Sequence, residues 1–370
     1  MALILGLETS CDETAASVVR DGERVLSNVV ASQHDLHERY QGVVPEIASR
    51  AHLENIWPVV ESGLQKANIN FDQLDAIAVG NRPGLIGSLI VGVAAAKALS
   101  WSLQKPLIGI DHVQAHLYAA ALTTANNTPQ HKAPQNQSAS SQPAQFPALG
   151  LVVSGGHTTL YLMNSPHQIQ PIGRTIDDAV GEAYDKAAVI LKLGYPGGPK
   201  LDKLARTGNP EAHTLPRSML KPGSLDFSFS GLKTALLYAV RGHPIGKGKN
   251  ATFKRDAEDL TAEQIADLAA SFQAAAIDAV IRKLKRAVNQ LRKDDTQIKS
   301  LIIGGGVSAN SHLRERAADF ARRYQLSLHL PELAYTQDNA AMIAGLANSY
   351  YEMGEFDDLN LPAIATTKCL

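Results

Sequence analysis

Two stretches decide the fold, residues 3–19, LILGLETSCDETAASVV, and residues 148–163, ALGLVVSGGHTTLYLM. Each runs from an apolar strand into a small polar turn and back into an apolar strand. Each therefore reads as a β-hairpin with hydroxyls and glycines at its tip. The same opening occurs twice, about one domain length apart, and this suggests two related lobes. Helical patterns alternate with these strands. One helix is predicted over 84–103, after Pro83-Gly84, and another over 261–293, where alanines and spaced apolar residues recur. The stretch KSLIIGGGVSANSHLRERA (299–317) reads as a strand running into Gly304, Gly305 and Gly306, with Ser308 or Asn310 capping a further helix. Strands alternating with helices give an α/β protein. The layout suggests the actin-like ATPase (ASKHA) fold, in which two duplicated ribonuclease-H-like lobes face each other across a cleft. A hairpin tip offers backbone N–H groups to phosphate oxygens, and its glycines remove the Cβ that would block close approach. A plain tight connection is the alternative for any one such turn.

Between the hairpins, 124–147 (TANNTPQHKAPQNQSASSQPAQFP) is rich in Asn, Gln, Ser and Pro and has little to bury. It reads as a flexible linker or insert. The expected organisation is an N-terminal lobe at 1–123, the linker at 124–147 and a C-terminal lobe at 148–330. A C-terminal segment, 331–370, completes the site and packs between the lobes.

The 370 residues supply material for two cores, with 45% hydrophobic and 19% charged residues. A net charge of −1 excludes a globally basic nucleic-acid binder, so contact with a polyanion needs a local patch. Two cysteines, Cys11 and Cys369, stand at opposite ends of the chain, as expected of a reducing compartment and a cytoplasmic protein. The N-terminus lacks the basic region of a signal peptide. No apolar run is read as approaching the roughly 20 residues of a membrane span.

The chemistry begins in PLIGIDHVQAHLYAAAL (106–122), a strand followed by Asp111 as N-cap and then a helix. His112 and His116 lie at i and i+4 and share one face. Val113, Leu117, Ala120 and Ala121 form an adjoining apolar stripe. Two imidazoles one turn apart can hold a divalent ion, and two partly exposed histidines without a ligand are the other reading. The zincin signature has the same spacing but needs a glutamate directly after the first histidine to activate water. Val113 stands there, so a peptidase is disfavoured on chemistry. A carboxylate is the usual third ligand. Asp338 in AYTQDNAAMIAGLA (334–347) is the best candidate, at the start of a helix that Thr336 would cap. The helix dipole alone would also favour an acid there.

The chain resembles the bacterial TsaD proteins, also called Gcp. The likeness rests on ETSCDET (8–14), GVVPEIASRAH (42–52), PGLIGSLIVG (83–92), HVQAH (112–116), VSGGHT (153–158) and DDAVGEAYDKAA (177–188). It continues through YPGGP (195–199), LDFSFSGLKTA (225–235), GGGVSAN (304–310) and TQDNAAMIA (336–344). The resemblance implies an acyltransferase. Such an enzyme moves the threonylcarbamoyl group of threonylcarbamoyl-AMP to N6 of the adenosine 3′ to the anticodon, position 37, in tRNAs reading ANN codons, forming t6A. It implies His112, His116 and Asp338 as ligands of one divalent ion, Fe2+ in preference to Zn2+. It implies Val152, Val153, Ser154, Gly155 and Gly156 as the stretch that wraps the substrate, with further contacts from Asp185, Gly198, Asp202 and Asn310. It also implies a complex with a TsaB-like protein and a TsaE-like ATPase, and no membrane partner. No Ser-His-Asp or Cys-His arrangement asks for a covalent mechanism, and Cys11 is read as structural.

The chain departs from the family pattern twice. Arg82 replaces the first glycine of the usual Gly-Pro-Gly turn, and Gln114-Ala115 replaces the usual Glu-Gly between the histidines. An RNA acceptor needs a basic track. Arg241, Lys247, Lys249, Lys254 and Arg255 offer one, and residues 281–293 offer another, although a solvated face explains them equally. The rival functions are a small-molecule kinase of the actin-like class and a non-catalytic nucleotide-binding partner.

Overall fold

The computed structural model describes residues 1–124 and 142–366, apart from 39, 41, 195, 219 and 247–251. Most of the linker, together with Lys247, Lys249 and Cys369, lies outside the described residues. The first lobe contains β1 (Leu3–Glu8), β2 (Glu13–Arg20), β3 (Arg24–Ser32), α1 (His34–Glu38), α2 (Pro45–Ala67) and β4 (Ala76–Arg82). It continues through α3 (Ile86–Leu103), β5 (Leu107–Asp111), α4 (His112–Tyr118) and the short β6 (Thr123–Thr124). The second contains β7 (Ala148–Val153), β8 (Thr158–Met163), β9 (Ile169–Arg174), α5 (Val180–Ile190), α6 (Gly197–Ala205) and α7 (Ser230–Arg241). It closes with α8 (Ala262–Lys293), β10 (Ser300–Gly304), α9 (Ser311–Tyr324) and β11 (Ser327–His329), before a final α10 (Ala340–Met353).

The two sheets repeat one topology. In the first, β1, β2 and β3 form an antiparallel meander, β4 pairs parallel to β1, and β5 pairs parallel to β4. In the second, β7, β8 and β9 form the meander, while β10 and β11 add in parallel on the far side of β7. The strand orders β5-β4-β1-β2-β3 and β11-β10-β7-β8-β9 are therefore the same path walked twice. Both expected hairpins are present, and the duplicated lobes of the actin-like fold follow from them.

Strand periodicity explains the layers. In the first sheet, Leu5, Leu7, Ile77 and Val79 face Val59, Val60 and Leu64 of α2 and Val93, Ala96 and Leu99 of α3. The alternate residues Ile4, Ala76, Ala78, Ile108 and Ile110 face Ala341, Ile343, Ala344 and Leu346 of α10. A strand covered on both faces is apolar along its length, as β1 is from Leu3 to Leu7, before it ends in Glu8. The C-terminal helix thus covers the first sheet, more than 300 residues from its opening strand. In the second sheet, Leu149, Leu151, Val153 and Leu160 pack against α5, α7 and α8. Two expectations change here. The 18-residue α3 is long and apolar enough to cross a membrane, contrary to the sequence reading, yet it packs on β4 and α2. The helix carrying Ala340 is capped by Asn339, whose side chain accepts from Met342 N, whereas Thr336 bonds back to Leu333 O.

After α10 the chain lies along the edge of the first sheet. Asp357 bridges Leu107 and accepts from Gly109 N at 2.7 Å, and Ile364 N donates to Asn81 O at 2.9 Å. Leu361 is buried over Gly109, which has no Cβ to obstruct it. Leu361→Ala is expected to cost about 3 kcal/mol through lost burial and a residual cavity. Urea unfolding of the variant should show a lowered midpoint with an unchanged slope.

Candidate metal centre

β5 ends at Asp111 and α4 begins at His112. The Asp111 carboxylate accepts from Val113 N at 3.0 Å and Gln114 N at 3.1 Å, satisfying two of the helix's first amides. Arg82, one of the departures from the family pattern, places its Nε 3.6 Å from the same carboxylate. The charge it adds therefore sits against the cap of α4.

α4 is wedged between the two sheets, and its sequence shows why. Val113 and Leu117 pack on Ala148, Val152, Met163 and Ile302 of the second sheet. Ala115 and Ala119 pack the other way, among Ala78, Ile110 and the α10 residues. Ala120 borders the second-sheet cluster, while Ala121 is exposed and lies outside the expected stripe. The third stripe is His112 and His116, respectively 6% and 0% exposed. Close approach requires glycine at the end of β10, because a Cβ on Gly304 would overlap the His116 carbonyl.

Asp338 meets the pair from the residues just before α10. Its Oδ1 lies 3.2 Å from His116 Nε2 and 3.6 Å from His112 Nε2. The imidazoles stand edge to face with centroids 4.7 Å apart, so both Nε2 atoms aim at one space. The three ligand atoms lie within 4.8 Å of one another. Both ring nitrogens of buried His116 lack a hydrogen-bond partner, and its contact with Asp338 does not have hydrogen-bond geometry. An unsatisfied buried imidazole is costly. A divalent cation between two imidazole nitrogens and a carboxylate oxygen would satisfy it, and two nitrogens plus one oxygen suit iron or zinc. The residues fit a metal.

The electrostatics agree. Burial alone would raise the Asp338 carboxyl, but the His112 and His116 imidazoles hold it well below its usual range. Burial would lower His112, yet Glu8 and Asp338 push it up to about 9. Burial, with His112 and His116 close by, holds His157 down to about 4. Burial, with Asp338 and Asp12 nearby, pushes Glu13 up to about 10. Burial and the Asp12 and Asp338 carboxylates also push the Cys11 thiol far up, which suits a structural cysteine rather than a nucleophile.

The expected substrate residues gather on the second lobe. Val152 and Val153 end β7, and Ser154, Gly155 and Gly156 form the hairpin tip. Gly181 N donates to Ser154 O at 3.2 Å, which ties the tip to the start of α5. The positions a Cβ would take on Gly155 and Gly156 meet nothing within 4 Å, so there is room above the loop. Asp185 Oδ1 accepts from Gly197 N at 3.1 Å and Gly198 N at 3.2 Å. Asp202 accepts from Ser311 Oγ at 2.8 Å and from Arg206. The Asn310 amide caps α9 through Leu313 N and donates to Gln273 Oε1 at 2.8 Å. Asp185 is thus bonded to Gly198, Asp202 to Ser311 and Arg206, and Asn310 to Leu313 and Gln273, so much of their polar capacity holds the loops together. The basic tracks are also engaged internally. Arg241 pairs with Asp256, Arg255 donates to the carbonyls of Ala239 and Val240, and Lys283 and Arg286 donate to Ser224 O.

Sequence reasoning gave no role to Glu8, Ser10, Glu13 or His157. All four lie inside the quoted motifs ETSCDET and VSGGHT, and the unusual density of polar groups beside apolar strands was the available signal.

The family model described as tRNA N6-adenosine threonylcarbamoyltransferase (TsaD) matches residues 24–345. A protein of that name from Trichlorobacter lovleyi is 44% identical over 365 residues, covering 98% of this chain and 96% of its own. Another, from Symbiobacterium thermophilum, is 46% identical over 363 residues, covering 98% and 95%. Among solved structures, HypF of T. kodakarensis superposes with a TM-score of 0.56 at 15% identity, over 95% of this chain and 48% of that one. That last likeness concerns the fold alone.

Proposed function

Because the chain belongs to the TsaD family of tRNA N6-adenosine threonylcarbamoyltransferases, we propose that the cleft around His112, His116 and Asp338 transfers a threonylcarbamoyl group to N6 of adenosine in tRNA. The donor is threonylcarbamoyl-AMP, and the acceptor is adenosine 37 of tRNAs reading ANN codons. The observation that carries this reading is the convergence of the three ligand atoms beside the VSGGHT hairpin tip.

The three residues would hold one divalent ion, iron in preference to zinc. When bound, that ion supplies Lewis acidity and a fixed anchor for an acyl oxygen. The chain's own residues do the rest. The amides of Gly155 and Gly156 and the open space above them receive the adenylate phosphate, with Val152, Val153 and Ser154 carrying the loop. Asp185, Gly198, Asp202 and Asn310 border the nucleoside side. N6 attacks the carbamoyl carbon, the C–N bond forms, one N6 proton passes to solvent, and the bond from that carbon to the phosphate oxygen breaks to release AMP. Adenylate leaves readily, so no nucleophilic side chain is required. Holding amine and acyl group together supplies much of the rate. The small-molecule kinase alternative finds no support in the family.

The partners in this reading are a TsaB-like protein and a TsaE-like ATPase, together in the cytoplasm. An apolar face on α2 and α3, with Leu53, Trp57, Ile86 and Ile90 exposed, offers one of them a place to dock. The test is reconstitution with ATP, threonine, bicarbonate, tRNA, the partner proteins and the synthase that makes the adenylate. Nucleoside analysis of the digested tRNA should show t6A, and the purified chain should carry about one metal ion. Absence of t6A with this chain present would overturn the reading.

A further inference from the structure

The two metal-facing histidines are not held alike. His116 Nδ1 is buried without a hydrogen-bond partner, whereas His112 Nδ1 lies 3.1 Å from Glu8 Oε2. Glu8 is the last residue of β1 and is fully buried. Its other oxygen, Oε1, accepts from Ser10 N at 2.6 Å, and Ser10 Oγ stands 3.1 Å from the same His112 nitrogen. The carboxylate has a slot of its own, since a Cβ on Gly80 would lie 2.5 Å from Glu8 Oε2.

We infer that Glu8 is the positioning residue of the metal site, orienting His112 through Nδ1 so that Nε2 faces the space shared with His116 and Asp338. The reasoning rests on the metal reading above and on hydrogen-bond chemistry. A carboxylate only accepts, so Nδ1 must carry the proton and Nε2 keeps the lone pair a metal needs. The Ser10 amide fixes which oxygen of Glu8 points where. In Glu8→Gln that amide keeps the remaining oxygen, and the side-chain NH2 then faces Nδ1. A donor at that point makes Nδ1 an acceptor and moves the proton to Nε2, the nitrogen that should ligate.

The full-length chain is stripped of metal by chelation, and Zn2+ is titrated against a competing chromogenic chelator. Glu8→Gln, nearly isosteric with the native residue, is expected to bind Zn2+ about 10–100-fold more weakly than the unsubstituted protein, with its melting temperature changed far less. Affinity within twofold of the unsubstituted protein would overturn the role of Glu8 and leave the metal reading standing. Failure of the unsubstituted protein to bind Zn2+ would overturn both. Ring-15N spectra of the unsubstituted Zn2+-loaded protein give a measurement that needs no variant. The His112 ring should carry its proton on Nδ1, and a proton on Nε2 would overturn the inference.

Discussion

Replacing His116 with alanine is expected to strip the metal from the protein and to lower t6A formation about a thousandfold, while leaving the fold in place. The magnitude follows from the chemistry at stake. Lewis-acid stabilisation of a developing charge is worth several kcal/mol, and each 1.36 kcal/mol is a factor of ten in rate. The fold survives because the imidazole contributes little to it. Its ring nitrogens are buried without hydrogen-bond partners, so alanine removes a desolvation cost along with some packing. Metal analysis should fall from about one ion per chain to near zero. Circular dichroism and the urea midpoint of the metal-free proteins should nearly coincide. Full activity in His116→Ala would remove the metal from the mechanism.

Gly304→Ala tests the other half of the site, its placement between lobes. The added methyl would overlap the His116 carbonyl, a backbone atom in the middle of α4 that no rotamer change can move aside. Overpacking of this kind costs about 3 kcal/mol. The helix must shift away from β10, carrying both histidines with it, so Zn2+ affinity should fall along with stability. Displacements of about 1 Å suffice to spoil a preorganised site. An unchanged urea midpoint and unchanged Zn2+ affinity would show that α4 does not depend on this contact.

Local patterns were legible wherever the physics is local. Both hairpins, α3, α8 and the Asp111 cap of α4 follow from periodicity and capping chemistry within a few residues. His112 and His116 could be placed on one face by spacing alone. Asp338 could be named from its segment only as the best candidate for a third ligand, because its partners are more than 200 residues away and only the fold brings them together. Glu8 was missed for the same reason. A glutamate closing an apolar strand reads as a strand end, and nothing within ten residues announces His112 behind it. The Thr336 cap failed because Thr336 and Asn339 are both capable caps, and the choice depends on where the chain leaves the metal site. The destination of α10 was also beyond local reading, since its apolar face does not say which sheet it will cover.

That destination bears on how the protein is made. Roughly 330 residues separate β1 from α10, and chain elongation runs at about 5–20 residues per second. About 230 residues separate Ile110 from α10, so for roughly 10–50 s the nascent first lobe shows the face formed by Ile4, Ala78, Ile108 and Ile110 to its surroundings. The first lobe is therefore begun first and finished last. Because Asp338 directly precedes α10, the arrival of the helix that shields this sheet also delivers the last of the three metal-facing residues.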